Sequence, residues 1–149
     1  IAAVPDMLTA YENYRLSDEG DAIELYMGCH PDSSTNQKLY QDASMSPRLP
    51  LGIPTLLVVG TEDVDVPPQL LKDFHASCQA SREEGGGAVV ELLEVYGADH
   101  YQLVTAGDGK WRQVARKMTE ILQEVCGWEL PVFVADYSVS EATGFLPSP

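Results

Sequence analysis

Two apolar runs stand out against the rest of the chain. Ile53-Pro54-Thr55-Leu56-Leu57-Val58-Val59 stops at Gly60, and Ala88-Val89-Val90-Glu91-Leu92-Leu93-Glu94-Val95-Tyr96 follows three glycines. Short apolar, β-branched runs bounded by breakers predict strands, and the first predicts one buried on both faces. Between them Pro67-Pro68 opens a helix, since proline suits a first helical turn. Leu70, Leu71, Phe74 and Cys78 form its apolar stripe, and Glu83-Glu84-Gly85-Gly86-Gly87 makes a flexible break after it. The clearest helical period runs from Trp111 to Val125. It puts Trp111, Val114, Ala115, Met118, Ile121, Leu122 and Val125 on one face, and Gly127 ends it. Strand, helix, strand, helix with short links predicts neighbouring parallel strands joined by a right-handed crossover.

The flanks are less regular. Ile1-Ala2-Ala3-Val4 has the character of a strand end stopped by Pro5-Asp6. Such a strand needs covered edges, so the chain is expected to continue a larger sheet. Met7 to Tyr14 is loosely helical, with Met7, Leu8, Tyr11 and Tyr14 at helix spacing. Ser17-Asp18-Glu19 caps a short helix through Ala22, Ile23, Leu25, Tyr26 and Met27 that ends at Gly28. Pro31 to Asn36 predicts a polar loop, Gln37 to Asp42 a helical turn, and Ala43 to Pro47 another loop. We therefore divide the chain into a cap-like or crossover segment (1–52), a βαβα unit (53–127) and a C-terminal extension (128–149). In the extension Leu130 to Val134 predicts a short edge strand, and Ser138 to Pro149 an extended tail without a basic residue. No internal repeat is present.

Composition narrows the function classes. The chain has 149 residues, 44% of them hydrophobic, which suits one globular domain with a sizeable core. No run approaches the roughly 20 apolar residues of a bilayer span, and no signal-like segment opens the chain. The first residue is Ile1 and not Met, as expected of a mature, trimmed or internal piece. A net charge of -14 argues against nucleic acid and anionic membranes as partners and favours solubility. Cys29, Cys78 and Cys126 are odd in number and far apart, which fits neither a disulfide framework nor a zinc site and points to a reduced, cytoplasmic setting.

The chemistry gathers just past the two strands. Asp63 lies three residues after Gly60, and His100 closes Gly97-Ala98-Asp99-His100. In parallel sheets ligands bind outside the carboxyl ends of the strands. Their separation of 37 positions fits one strand–helix–strand unit, which sets the two loops side by side. An acid and an imidazole presented together there suggest two members of a Ser-His-Asp relay, with the carboxylate accepting the Nδ1–H and holding the ring's tautomer. Glu62 and Asp65 compete for the acidic role. A solvated turn capping the helix after Pro67 would use the same residues without any chemistry. His75, on the predicted helix, and His30, in a polar turn, read as packing or surface residues, and the three histidines lack metal-ligand spacing. The Gly85–Gly87 run precedes a strand and no Lys-Ser/Thr follows, so it is no phosphate cradle. The nucleophile is missing. A serine would sit on a Gly-x-Ser-x-Gly elbow, and none occurs. Ser44 and Ser46 precede Pro47 in a loop, and Cys29 follows a helix end, the wrong end to activate a thiolate.

These residues resemble the α/β-hydrolases, most closely the esterase, arylformamidase and prolyl-oligopeptidase-like branch. Ile53 to Pro67 is similar to that family's acid-bearing strand and loop, and Tyr96-Gly97-Ala98-Asp99-His100-Tyr101 to its terminal histidine loop. Ala43-Ser44-Met45-Ser46-Pro47 resembles the segment before the acid strand, and Ala3-Val4-Pro5-Asp6 the end of the strand after the nucleophile helix. The likeness covers about residues 1 to 126. It implies Asp63 as the catalytic acid, His100 as the catalytic base, and the C-terminal half of a mostly parallel sheet flanked by helices. It also implies a serine hydrolase acting on an ester, amide or peptide bond of a small molecule or peptide. No cofactor or metal is implied. The family's nucleophile and oxyanion-hole segments belong to its N-terminal half, which matches nothing here. The resemblance therefore implies a fragment that is inactive alone, with the missing half as a partner. The alternative is a non-catalytic hydrolase-like binding module.

Overall fold

A computed structural model describes residues 3–14 and 21–127. Its elements are α1 (Met7–Tyr14), α2 (Asp21–Met27), α3 (Ser34–Ala43), β1 (Thr55–Gly60), α4 (Pro68–Gly85), β2 (Val90–Val95) and α5 (Gly109–Cys126). Among the described residues β1 and β2 form one two-stranded parallel sheet, in register from Thr55↔Val90 to Gly60↔Val95. The parallel βαβα unit expected from the hydrophobic pattern is therefore present, as an α/β fold with helices on both faces.

Strand geometry sends alternate side chains to opposite faces, and the two faces build two cores. Leu57, Val59 and Val90 pack with Leu70, Leu71, Phe74 and Cys78 of α4. Val58 and Val95 pack with Val114 and Trp111 of α5, together with Ala98 and Leu103. The charges follow the same alternation. Glu94 meets Lys72 of α4 at 2.6 Å, and Glu91 meets Lys117 of α5 at 2.6 Å on the other face. Each pair is partly exposed and screened by solvent, so apolar burial and not charge seats the helices.

The first third joins the α4 side. Ala10 and Tyr11 of α1 and Tyr40 of α3 share the core with Leu57 and Leu71. Ser44 joins these helices. Its buried hydroxyl accepts from Met7 N at 2.9 Å and donates to the Tyr40 carbonyl at 2.7 Å.

Several boundaries differ from the sequence reading. Ala3 and Val4 are not in a strand, and Ile1 and Ala2 lie outside the described residues. Helix α3 starts at Ser34 and not Gln37, because Ser33 caps it by accepting from Asn36 N at 3.2 Å. Helix α4 runs into the expected break and stops only at Gly86, whose φ is +81°. The apolar face of α5 is buried only toward its start. Val114 is buried, whereas Met118 and Val125 are 40% and 54% exposed. The short helix ending at Gly28 is present, while the Ser17–Glu19 cap and the Leu130–Val134 strand lie outside the described residues. No helix among the described residues is long and apolar enough to cross a membrane.

Burial pushes the Tyr40 phenol above its ordinary value of 10.0, with Cys29, Tyr11 and Glu24 acting in the same direction. The folded state thus favours the protonated phenol. This contribution is intact below about pH 10 and is lost as pH rises through the folded-state value. The phenol donates to the Cys29 carbonyl at 2.7 Å. Tyr40→Phe should cost about 1 kcal/mol at neutral pH and flatten the loss of stability in alkali. Urea unfolding at neutral pH and above about pH 10 measures both, and an unchanged alkaline slope would assign that loss to other groups.

Candidate active site

Because Gly60 and Val95 are paired in register, the loops that follow them leave the sheet side by side. Three hydrogen bonds join them: Thr61 N to the Val95 carbonyl at 3.1 Å, Glu62 N to the Ala98 carbonyl at 3.0 Å, and Gly97 N to Thr61 Oγ1 at 2.8 Å. Gly60 makes this approach possible. A Cβ there would lie 2.2 Å from the Ala98 carbonyl oxygen, closer than any side chain tolerates. Ala98 and Leu103 anchor the second loop in the α5-side core. Asp99 locks the turn between them, with Oδ1 accepting from Tyr101 N and Gln102 N at 2.9 Å each, while Asp99 N donates to Gln102 Oε1 at 3.1 Å. This is the reciprocal Asp-x-x-Gln pattern of a capping box.

The structure brings Asp63 and His100 together. Asp63 Oδ2 lies 3.0 Å from His100 Nδ1, with the Asp63 side chain fully buried and that of His100 30% exposed. The other oxygen, Oδ1, accepts from Asp65 N at 3.0 Å and Val66 N at 2.8 Å. One oxygen therefore organises the turn into α4, and the other faces the imidazole. Helix α4 itself takes no side-chain cap, so Asp63 shapes the loop and not the helix end. With a carboxylate accepting at Nδ1, the neutral ring carries its proton there and presents Nε2 as the acceptor. Such a ring can take a proton at Nε2 while the buried carboxylate stabilises the imidazolium that results. Tyr101 stands edge-on to this ring, with centroids 5.4 Å apart.

Asp65 also comes close. Asp63, Asp65 and His100 each place one ligand-type atom within 4.8 Å of the others, and among the described residues they are the group that could hold a metal ion. Asp63 already spends both oxygens on hydrogen bonds, and the Nδ1 proton fills the space between it and His100. The remaining candidates have other work. His75 Nε2 meets the Val90 carbonyl at 3.1 Å and pins α4 to β2. Cys78 is in the core, where burial raises its thiol and disfavours a thiolate. Ser44 is buried in the α1–α3 junction, and Ser46 begins a short 3-10 turn. The close approach at Gly60 and the lock at Asp99 were not singled out in the sequence, although a strand-ending glycine and the Asp-x-x-Gln spacing signalled both. His30, expected in a polar turn as a packing or surface residue, pairs with Tyr11 and Glu24.

The described residues form a small parallel sheet flanked by helices. Two solved structures share it. One is Thermogutta terrifontis esterase 2 phosphoramylated by tabun (TM-score 0.53, 18% identity, 68% of this chain and 39% of that one). The other is native Est2, a thermophilic esterase from the same Planctomycetes species (TM-score 0.53, 16% identity, 74% of this chain and 36% of that one). This chain spans well under half the length of either esterase. No protein-family model and no curated protein sequence matches it. At this identity the likeness establishes a hydrolase-like fold over part of the chain, without a branch.

Two substitutions probe the pair. Asp63→Asn can keep its oxygen on the two backbone N–H groups, but it turns an N–H toward His100. Stability should fall by less than about 1 kcal/mol while the imidazole proton moves from Nδ1 to Nε2. Nitrogen-15 NMR of the ring reads the tautomer, and an unmoved proton would break the proposed pairing. Gly60→Ala should cost about 1–3 kcal/mol in urea unfolding by forcing the loops apart.

Proposed function

We propose that Asp63 and His100 are the acid and base of a serine-hydrolase relay acting on an ester, amide or peptide bond. The serine belongs to polypeptide outside these 149 residues. The observation that carries this reading is the buried Asp63 carboxylate held 3.0 Å from Nδ1 of a partly exposed imidazole. In this scheme His100 Nε2 takes the proton of the attacking serine, and Asp63 steadies the imidazolium without taking the proton itself. His100 then gives the proton to the leaving group, and the acyl-enzyme is hydrolysed by the same steps with water as the nucleophile. No step needs a cofactor or metal. The esterase neighbours favour an ester, and the arylformamidase and prolyl-oligopeptidase-like chemistries are the close alternatives.

A second reading is a non-catalytic module that associates with a partner. It is favoured by the exposed Met118, Leu122 and Val125 on α5, which a partner could cover.

Short-chain p-nitrophenyl esters separate the two. The 149-residue chain should show no turnover above buffer. A longer product of the same gene, containing a Gly-x-Ser-x-Gly, should hydrolyse them. There His100→Ala and Asp63→Asn should each lower kcat by about 10⁴-fold or more. Full activity in those variants would sink the relay, and turnover by the 149-residue chain that His100→Ala abolishes would mean the nucleophile lies within it.

A further inference from the structure

Among the described residues the imidazole of His100 makes one hydrogen bond, at 3.0 Å to Asp63, and one edge-on ring contact, with Tyr101. One hydrogen bond does not set where a side chain stands, because a ring on a loose backbone would exchange it for water at little cost. The position of the ring has to come from the backbone that carries it. That backbone is held on both sides. Before His100, Ala98 is buried and its carbonyl accepts from Glu62 N at 3.0 Å. After it, Leu103 is buried, and the Tyr101 carbonyl accepts from Val104 N at 3.1 Å and from Thr105 Oγ1 at 2.8 Å. Across it runs the reciprocal box of Asp99 and Gln102, with hydrogen bonds of 2.9, 2.9 and 3.1 Å.

Such a box ordinarily opens a helix, with Asp99 as the cap and His100, Tyr101 and Gln102 as the first three helical positions. Here no helix follows. The chain makes one turn, closed by Val104 N on the Tyr101 carbonyl, and the next helix begins only at Gly109. What the box encloses is His100 and Tyr101, the ring that faces Asp63 and the ring that flanks it. Asp99 is itself exposed and takes no part in the apolar core. Its hydrogen bonds therefore organise this one turn.

Resting on the reading of His100 as a relay base, we infer that Asp99 is a positioning residue for that base, with Gln102 as its reciprocal partner. By accepting from Tyr101 N and Gln102 N, Asp99 fixes the turn, and the turn fixes the direction in which the His100 side chain leaves the backbone. The ring then meets Asp63 Oδ2 through Nδ1 and keeps Nε2 as the acceptor. Asp99 acts through the backbone and not on the reacting atoms. Its role is geometric, so a neutral acceptor in the same position serves equally.

Nitrogen-15 and proton NMR of the 149-residue chain tests this by reading the tautomer of His100 and the exchange of its Nδ1 proton with water. In the unsubstituted chain the proton should reside on Nδ1. Asp99→Ala should mix the tautomers and speed exchange of that proton about fivefold or more, the factor that corresponds to one ordinary hydrogen bond. Asp99→Asn keeps an acceptor oxygen and should restore the original signature. Gln102→Ala removes one bond of the box and should fall between. Ser33→Ala uncaps α3, outside the strand-end loops, and controls for a general loss of stability in urea unfolding. It should leave the His100 signals unmoved. An unchanged tautomer and exchange rate in Asp99→Ala would overturn the positioning role, as would an equal change in Ser33→Ala. Failure of Asp99→Asn to restore the signature would overturn it in favour of a charge effect. In each of these cases the Asp63 pairing stands. A proton on Nε2 already in the unsubstituted chain would instead remove that pairing, and the relay and its positioning with it.

Discussion

A carboxylate buried in a protein interior is tolerated only if its oxygens find hydrogen bonds, and Asp63 meets this condition with three. Two come from backbone N–H groups of its own loop, and one comes from a side chain delivered by a loop 37 positions away. The local bonds fix the carboxylate in place whether or not the imidazole is present. The distant bond then sets the imidazole's tautomer. The acid loop is organised first, and the base is fitted to it.

That fitting depends on backbone proximity more than on side-chain attraction. Two parallel strands in register end at the same level, so their loops must run side by side. The contact between them is backbone against backbone at Gly60 and Ala98, and a single Cβ would prevent it. Apolar burial beneath, at Ala98, Leu103 and Val95, keeps the second loop pressed down. Position thus comes from the sheet and the core, and polarity from the two loop residues placed on them.

The rest of the surface reflects an α/β layer that is two strands wide among the described residues. Helix α5 is amphipathic along its length, yet in its second half Met118, Leu122 and Val125 are exposed. On the other side, α1 to α3 pack around Tyr11 and Tyr40.

The hydrophobic pattern by itself determined the βαβα unit, the parallel pairing and the two loops that carry Asp63 and His100. These follow from strand and helix periods and from breakers, which are local properties of the chain. It also marked α4 and the face of α5, but not how far that face is covered, since burial depends on what lies opposite. Spacing alone left Asp63, Glu62 and Asp65 open and only the resemblance pointed to Asp63, because carboxylates in one turn differ in direction and not in chemistry; tertiary structure sets Asp63 against Nδ1. The division of labour between the two Asp63 oxygens has the same origin. His30 illustrates the remaining limit: its partners, Tyr11 and Glu24, come from separate helices, and no spacing rule links them before α1 and α2 have packed.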